Sequence, residues 1–252
     1  MQSNLSLKES FDRDGYVHVS GFLSPTELTE VLENLDRYKR EVAPTLPADR
    51  VLHDRIGDEK LLKQLVDMQD ADGFFSKWLK SKSTGELAND LLGEEAAPQT
   101  LEYFEKAPKH GTPTPPHQDG YYFCLKPAKA LTIWVAVDDC DDENGCLYYV
   151  RGSHREGIIN HESSSVTGFS QGLPSEHRSR RDAVAMHVKA GDCLIHDSAT
   201  IHYAGPNRSE RWRRSFGMVF YAAAARRDEL AWERYRASVE RQRQQAKAAM
   251  AK

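Results

Sequence analysis

The segment PTPPHQDGYYF, residues 113–123, places His117 and Asp119 on either side of a single glutamine. On an extended backbone successive side chains alternate, so residues two apart point the same way. An imidazole and a carboxylate projecting together from one strand end can take adjacent positions on a single metal ion. Such ligands suit a divalent iron, and two histidines with one carboxylate on one face leave its other positions open. A His-x-Asp pair also decorates surface loops, so a third ligand has to be found. Of the ten histidines, His202 qualifies. It closes the apolar stretch of GDCLIHDSATIHYAGPNRSERWRRS and precedes Gly205-Pro206, a turn signal, so it can face a cavity from a strand end. His196 shares its strand parity but is set aside as lying too far down the strand. His53 is set aside because it sits in the helical part. Gln118, between the paired ligands, is expected to point away from the metal.

Arg211, Arg213 and Arg214 follow about one hairpin later, in a strand running into Ser215-Phe216. A buried strand needs a reason to carry an arginine. A bound carboxylate is one, because the planar guanidinium fork matches it bidentately. Arg213 is therefore expected to face the pocket.

These residues need a scaffold. Residues 7–14 read as a short helix before a brief strand around Tyr16, Val17 and Val19. Ser24-Pro25-Thr26-Glu27 predicts a helix start, with Ser24 as N-cap, Pro25 at the first helical position and Glu27 completing a capping box. Leu28, Val31, Leu32 and Leu35 continue it as a packing stripe. Further helical patterns cover 59–69 and 72–92, with a break near Ser83-Thr84-Gly85. From about Pro98 the texture turns to strands: QTLEYFEK, ALTIWVAVDD, CLYYV, two short strands in AVAMHVKAGDCLIHD around a Gly191-Asp192 turn, and RSFGMVFYAA. Short strands separated by turns predict a β sandwich or barrel. The expected organisation is one domain over 1–252: a mostly helical part to residue 97, a β core over 98–222, and a charged helix within 223–252.

Hydrophobic residues make up 39% and charged residues 29%, which fits a globular chain rather than a disordered one. A net charge of -4 lacks the basic excess that nucleic acid binding calls for. The four cysteines form no CxxC pair, so a zinc motif is not expected and a reducing compartment is. MQSNLSLKES has no apolar signal region, and no run approaches the ~20 apolar residues of a membrane span. A cytoplasmic protein with a small-molecule substrate is expected; nothing in the sequence specifies an oligomeric state.

Taken together, these segments resemble the phytanoyl-CoA dioxygenase superfamily of iron(II)/2-oxoglutarate oxygenases, which includes ectoine hydroxylase. The resemblance covers nearly the whole chain. FDRDGYVHVSGFLS resembles the family's entry segment, HQD its His-x-Asp motif, and ENGCLYYVRGSH its turn and strand ending in Gly-Ser/Thr-His. GDCLIHDSATIHYAGPNRS resembles the segment ending in the distal histidine, and Arg213 and Ser215 match its Arg-x-Ser pattern. The resemblance implies a double-stranded β-helix, a jelly roll related to cupins, with helices packed outside. It implies that His117, Asp119 and His202 bind Fe(II), and that Arg213 pairs with the far carboxylate of 2-oxoglutarate, helped by Ser215. It also implies reaction with O2 to give succinate, CO2 and a hydroxylated aliphatic carbon. Trp134 stands where the family has an aromatic against 2-oxoglutarate, or else is a core residue. Tyr103 faces the pocket or the other side of its strand. Arg151 stands where a proline is common and Asp197 where a histidine often stands. Asp119 favours hydroxylation, since halogenase relatives lack the acidic ligand.

The segment from Arg155 to Arg181 is a long polar insertion containing His161, His177, Arg178, Arg180 and Arg181. Loops of that length are often lids, and Phe169-Ser170-Gln171-Gly172 reads as a part that orders over a site. With Arg151, its basic character suggests an anionic or zwitterionic small metabolite rather than a bulky acyl-CoA. Two rivals share the core: a cupin-type metalloenzyme that uses no 2-oxoglutarate, and a non-catalytic binding module.

Overall fold

The computed structural model describes residues 6–56, 59–174 and 182–250. Helix α1 (Leu7–Asp14) begins on a Ser6–Glu9 capping box and stops at Gly15, whose φ of 84° suits a residue without a side chain. Strand β1 (Tyr16–Val19) follows. Helix α2 (Pro25–Arg37) starts as its sequence predicts, with the reciprocal Ser24–Glu27 capping box and proline in the first turn.

The next element corrects the sequence reading. Residues 59–65, read as helical, form a strand instead: β2 (Val51–Ile56) and β3 (Glu59–Leu65) form an antiparallel hairpin, and β3 pairs onward with β4 (Ala96–Lys106). Leu61, Leu62 and Leu65 fit a helical stripe, but pairing on both sides of β3 overrides that local pattern. The part before residue 97 is thus helical and stranded together. Helices α3 (Met68–Ala71), α4 (Gly73–Leu79) and α5 (Lys82–Leu92) come between β3 and β4. The break in this helical region falls at Ser81, which caps α5 by accepting from the Thr84 N–H, and Gly85 lies inside α5.

The remaining chain runs through β5 (Thr114–His117), α6 (Asp119–Phe123), β6 (Leu125–Lys126), β7 (Ala130–Ala136), β8 (Leu147–Val150), β9 (Glu162–Val166), β10 (Phe169–Gly172), β11 (Ala183–Met186), β12 (Cys193–Asp197), β13 (His202–Ala204), β14 (Arg213–Ala222), β15 (Arg226–Arg227) and α7 (Glu229–Met250). A seven-stranded sheet has the order β1-β12-β7-β14-β4-β3-β2, and a four-stranded sheet the order β11-β8-β13-β5. All their pairings are antiparallel. This is the jelly-roll architecture.

Alternation divides the large sheet into two faces. Tyr103, Ile133, Ile195 and Phe216 point outward and pack with Leu35, Phe75, Leu79 and Leu91 of the helices in one apolar cluster. Trp134 and Leu194 point inward and pack with Leu147, Tyr149 and Ala204 of the small sheet. Polar side chains on this inner face therefore meet in the space between the sheets. Among the described residues no helix is long and apolar enough to cross a membrane.

Candidate active site

Strands β5 and β13 are neighbours, and His117 and His202 are direct cross-strand partners. Their rings lie 4.2 Å apart. Gln118 keeps extended backbone angles before α6 begins, so Asp119 returns to the side of His117. Asp119 Oδ1 is 3.4 Å from His117 Nε2 and 3.6 Å from His202 Nε2. With metal–ligand bonds of about 2.1 Å, adjacent octahedral positions lie about 3 Å apart, close to the spacing already present.

The surroundings fix which atoms are free. His117 Nδ1 lies 2.8 Å from the Pro115 carbonyl and His202 Nδ1 lies 3.0 Å from the Thr200 carbonyl. Each δ nitrogen carries the donating hydrogen, leaving an Nε2 lone pair directed at Asp119. Asp119 Oδ2 accepts from Thr132 Oγ1 at 2.6 Å and from His196 Nε2 at 3.0 Å, so Oδ1 is the free oxygen. Burial opposes ionisation of Asp119, but the polar groups around it, with His196 donating to Oδ2, outweigh it and hold the carboxyl well below its ordinary range. Burial, with His117 and His196 nearby, keeps His202 neutral. An ionised carboxylate beside an imidazole with a free lone pair is a donor set ready for a divalent metal.

His196 corrects the reason for which the sequence reading set it aside. It does not lie far from the other ligands: its ring is 4.3 Å from that of His202. Strand β12 pairs with β7 so that His196 stands opposite Thr132, and both reach the same carboxylate oxygen. Because His196 donates to Asp119, its Nδ1 accepts from the Tyr149 hydroxyl at 2.8 Å. Tyr149 in turn stacks on Tyr16 at 4.6 Å. His196 thus orients the Asp119 carboxylate. His53 lies on β2, away from the triad cavities.

Gln118 points away from the triad, as expected. Its amide donates to the Gly157 and Ala199 carbonyls and accepts from the Ile159 N–H. Arg213, 3% exposed, shares with the triad a small cavity of about 80 Å3 that also contacts Trp134, Thr114 and Leu147. Its Nη1 donates to Ser215 Oγ at 3.0 Å, while its buried Nε has no partner. Among the described residues no carboxylate forms an ion pair with it. Trp134 faces this space, 5.8 Å from the guanidinium. Tyr103 does not: its hydroxyl donates to Glu105 on the outer face, and its ring packs on Phe216. The pairing of Arg213 with Lys106 puts the even-numbered β4 residues on the cavity side, which sends Tyr103 outward.

A second cavity, about 190 Å3, adjoins the triad and shares His117, Asp119, Thr132, Phe104 and Phe169 with the first. Its further wall brings Glu102, Gln64 and Tyr122 to the site, none of which the sequence marked. Burial raises the Glu102 carboxyl to about 7, aided by Asp67 and Asp119 and opposed by the Gln64 hydrogen bond.

The β9–β10 hairpin of the long insertion covers this cavity. The turn residues of the β9–β10 hairpin include Gly168, and Phe169 packs 5.0 Å from the His117 ring. Helix α7 clasps the hairpin: Gln242 donates to the Ser170 carbonyl and Ser238 to Gln171 Oε1. His161 is buried, stacked 4.2 Å from Tyr121, and burial lowers its pKa to about 4. Arg151 is exposed beside Asp14, and Asp197 accepts from the Ala199 N–H outside the triad. His177, Arg178, Arg180 and Arg181 lie outside the described residues.

Comparison with known proteins agrees with this geometry. The family model described as phytanoyl-CoA dioxygenase (PhyH) matches residues 11–215. A phytanoyl-CoA dioxygenase domain-containing protein 1 homolog of Dictyostelium discoideum is 29% identical over 158 residues, 61% of this chain and 56% of the relative. The chain spans little more than half the length of this and similar curated relatives. The epimerase SnoN, solved with Fe3+, alpha ketoglutarate and nogalamycin RO, superposes with a TM-score of 0.70 at 28% identity, over 87% of this chain and 83% of that one. EctD from S. alaskensis, solved with bound Fe, shares the fold with a TM-score of 0.70 at 19% identity, over 88% of this chain and 79% of its own. By its motif order, its jelly roll and its family match, the chain belongs to the phytanoyl-CoA dioxygenase family, of the iron(II)/2-oxoglutarate oxygenase type.

Proposed function

We propose that this protein is an iron(II)- and 2-oxoglutarate-dependent dioxygenase that hydroxylates an aliphatic C–H bond of a small polar metabolite. The observation that carries the reading is Arg213. A buried guanidinium with an unsatisfied Nε, in one cavity with a metal-ready triad, suits an anion that also reaches the metal.

His117, Asp119 and His202 would hold the iron. Arg213, oriented by Ser215, would take the far carboxylate of 2-oxoglutarate, with Trp134 as a wall of that space. When bound, iron and 2-oxoglutarate supply the O2 chemistry that releases succinate and CO2. Thr132 and His196 keep Asp119 aimed and ionised. Phe169 and Tyr122 cover the adjoining cavity and exclude water from the reacting C–H. A metalloenzyme that uses no 2-oxoglutarate, or a binding module, leaves Arg213 without a use.

The cavity size favours a small substrate over a bulky acyl-CoA. Of the basic side chains behind the expectation of an anion, Arg151 pairs with Asp14 and Arg155 donates to the Arg13 carbonyl, while His177, Arg178, Arg180 and Arg181 lie outside the described residues. The zwitterionic alternative fits the acidic wall better.

The test is an anaerobic titration with Fe(II) and then 2-oxoglutarate, following the visible charge-transfer band of the chelate. The band is expected in wild type and not in His202→Ala. Iron binding without a band on adding 2-oxoglutarate overturns the assignment. Because SnoN, 29% identical, is an epimerase, product mass is the second readout. A gained oxygen atom supports hydroxylation, and an unchanged mass with inverted configuration supports epimerisation.

A further inference from the structure

We propose that Glu102 and Gln64 form a recognition site for an ammonium group, so that the substrate is a small aliphatic amine, free or zwitterionic. The inference rests on the dioxygenase reading above and names the substrate class of that same site.

Strand β4 carries two glutamates close together, and their circumstances differ. Glu105, on the outer face, pairs with Lys39. Glu102, on the cavity side, has no ion pair among the described residues, and its hydrogen-bond partner is Gln64 Nε2 at 2.9 Å. Gln64 is 6% exposed, and because its nitrogen is committed to Glu102, its Oε1 is left buried and unpartnered. The pair therefore offers acceptors and lacks a donor. An uncompensated carboxylate held partly out of water is unfavourable unless a cation or a proton joins it.

The rest of the cavity fits a cation. Phe104, Tyr122, Phe123 and Phe169 contribute aromatic rings, and no lysine or arginine lines it. Ring faces attract an ammonium, most strongly where water is excluded. Glycine supplies the room: Gly217 stands directly across from Glu102 on β14, where a Cβ would meet Phe104 at 3.2 Å. The same cavity touches His117 and Asp119, so an amine anchored at Glu102 has its carbon skeleton beside the metal residues. Arg213 lines only the other cavity, which separates an anionic cosubstrate from a cationic substrate.

The experiment loads the anaerobic protein with Fe(II) and 2-oxoglutarate, then titrates n-pentylamine, n-pentanol and n-pentanoate separately. Perturbation of the visible band and, in air, stimulation of succinate formation are followed. The amine is expected to act at concentrations about tenfold or more below the other two. Glu102→Gln is expected to abolish that preference while the 2-oxoglutarate titration stays unchanged, and Gln64→Leu to weaken it several-fold. An amine no better than the alcohol or the carboxylate overturns the proposal, as does a preference that survives Glu102→Gln. Failure of the dioxygenase reading shows earlier and separately, as a missing 2-oxoglutarate band in wild type before any probe is added.

Discussion

Two ends of the space between the sheets carry opposite charges, and each lacks a partner of its own. At one end Arg213 sits on β14 with Ser215 behind it and its Nε unsatisfied. At the other, Glu102 sits on β4 with only a glutamine amide beside it. Left alone, the two would attract each other, yet they are held apart on opposite sides of the triad cavity. Strand register does this: Arg213 is opposite Lys106, while Glu102 is four pairs further along, opposite Gly217. An unpaired charge withdrawn from water is a stability cost that a ligand can offset, so each end points to a ligand of the opposite sign.

The largest expected effect breaks the positive end. Arg213→Ala should weaken 2-oxoglutarate binding by about 100-fold or more, since it removes a charge-assisted, bidentate partner in a dry site; the charge-transfer titration reads this directly. Thr132→Val leaves Asp119 one donor short and should weaken Fe(II) binding by about tenfold, measured by anaerobic metal titration. An unchanged affinity would mean that His196 alone suffices to aim the carboxylate.

The negative end predicts an effect on stability. The Glu102 carboxyl is raised to about 7 in the fold, by burial first and then by Asp67 and Asp119, against an ordinary value of 4.5. Between those values the folded chain binds more of this proton than the unfolded chain does, so stability falls as pH rises through the window. Glu102→Gln removes the penalty. It should gain about 1–2 kcal/mol over wild type near pH 8 and nothing near pH 4, read from urea midpoints at each pH. The smallest effect sharpens the comparison: Tyr103→Phe lies outside both ends and should leave 2-oxoglutarate affinity within about twofold, the change being confined to the loss of two hydrogen bonds, one to Glu105 and one from Lys39.

How far these residues could be read from the chain depends on whether local pattern or pairing decides their direction. His117 and Asp119 were legible because alternation across Gln118 is a property of the local backbone. His202, Arg213 and Ser215 were legible through motif order, and their strands have unambiguous β texture. Tyr103 was not, because its direction depends on which residue of β14 it opposes. His196 failed for a related reason: distance was judged along one strand, whereas its approach to Asp119 runs across the sheet beside Thr132. Gln64 was hidden more deeply, since the leucines around it imitate a helix until β2 and β4 pair on either side. The acidic wall therefore emerged only when the sheet was assembled, while the metal residues were visible beforehand.

The cross-strand pairing of His117 with His202 bears on how this scaffold can change. Both proposed ligands sit on adjacent strands in one register, and the β9–β10 hairpin between them in sequence pairs with neither β5 nor β13. An insertion within β5 or β13 would turn a ligand to the opposite face. The hairpin covers the cavity from outside this register, so a change in its length leaves the facing of His117 and His202 to the two short strands alone.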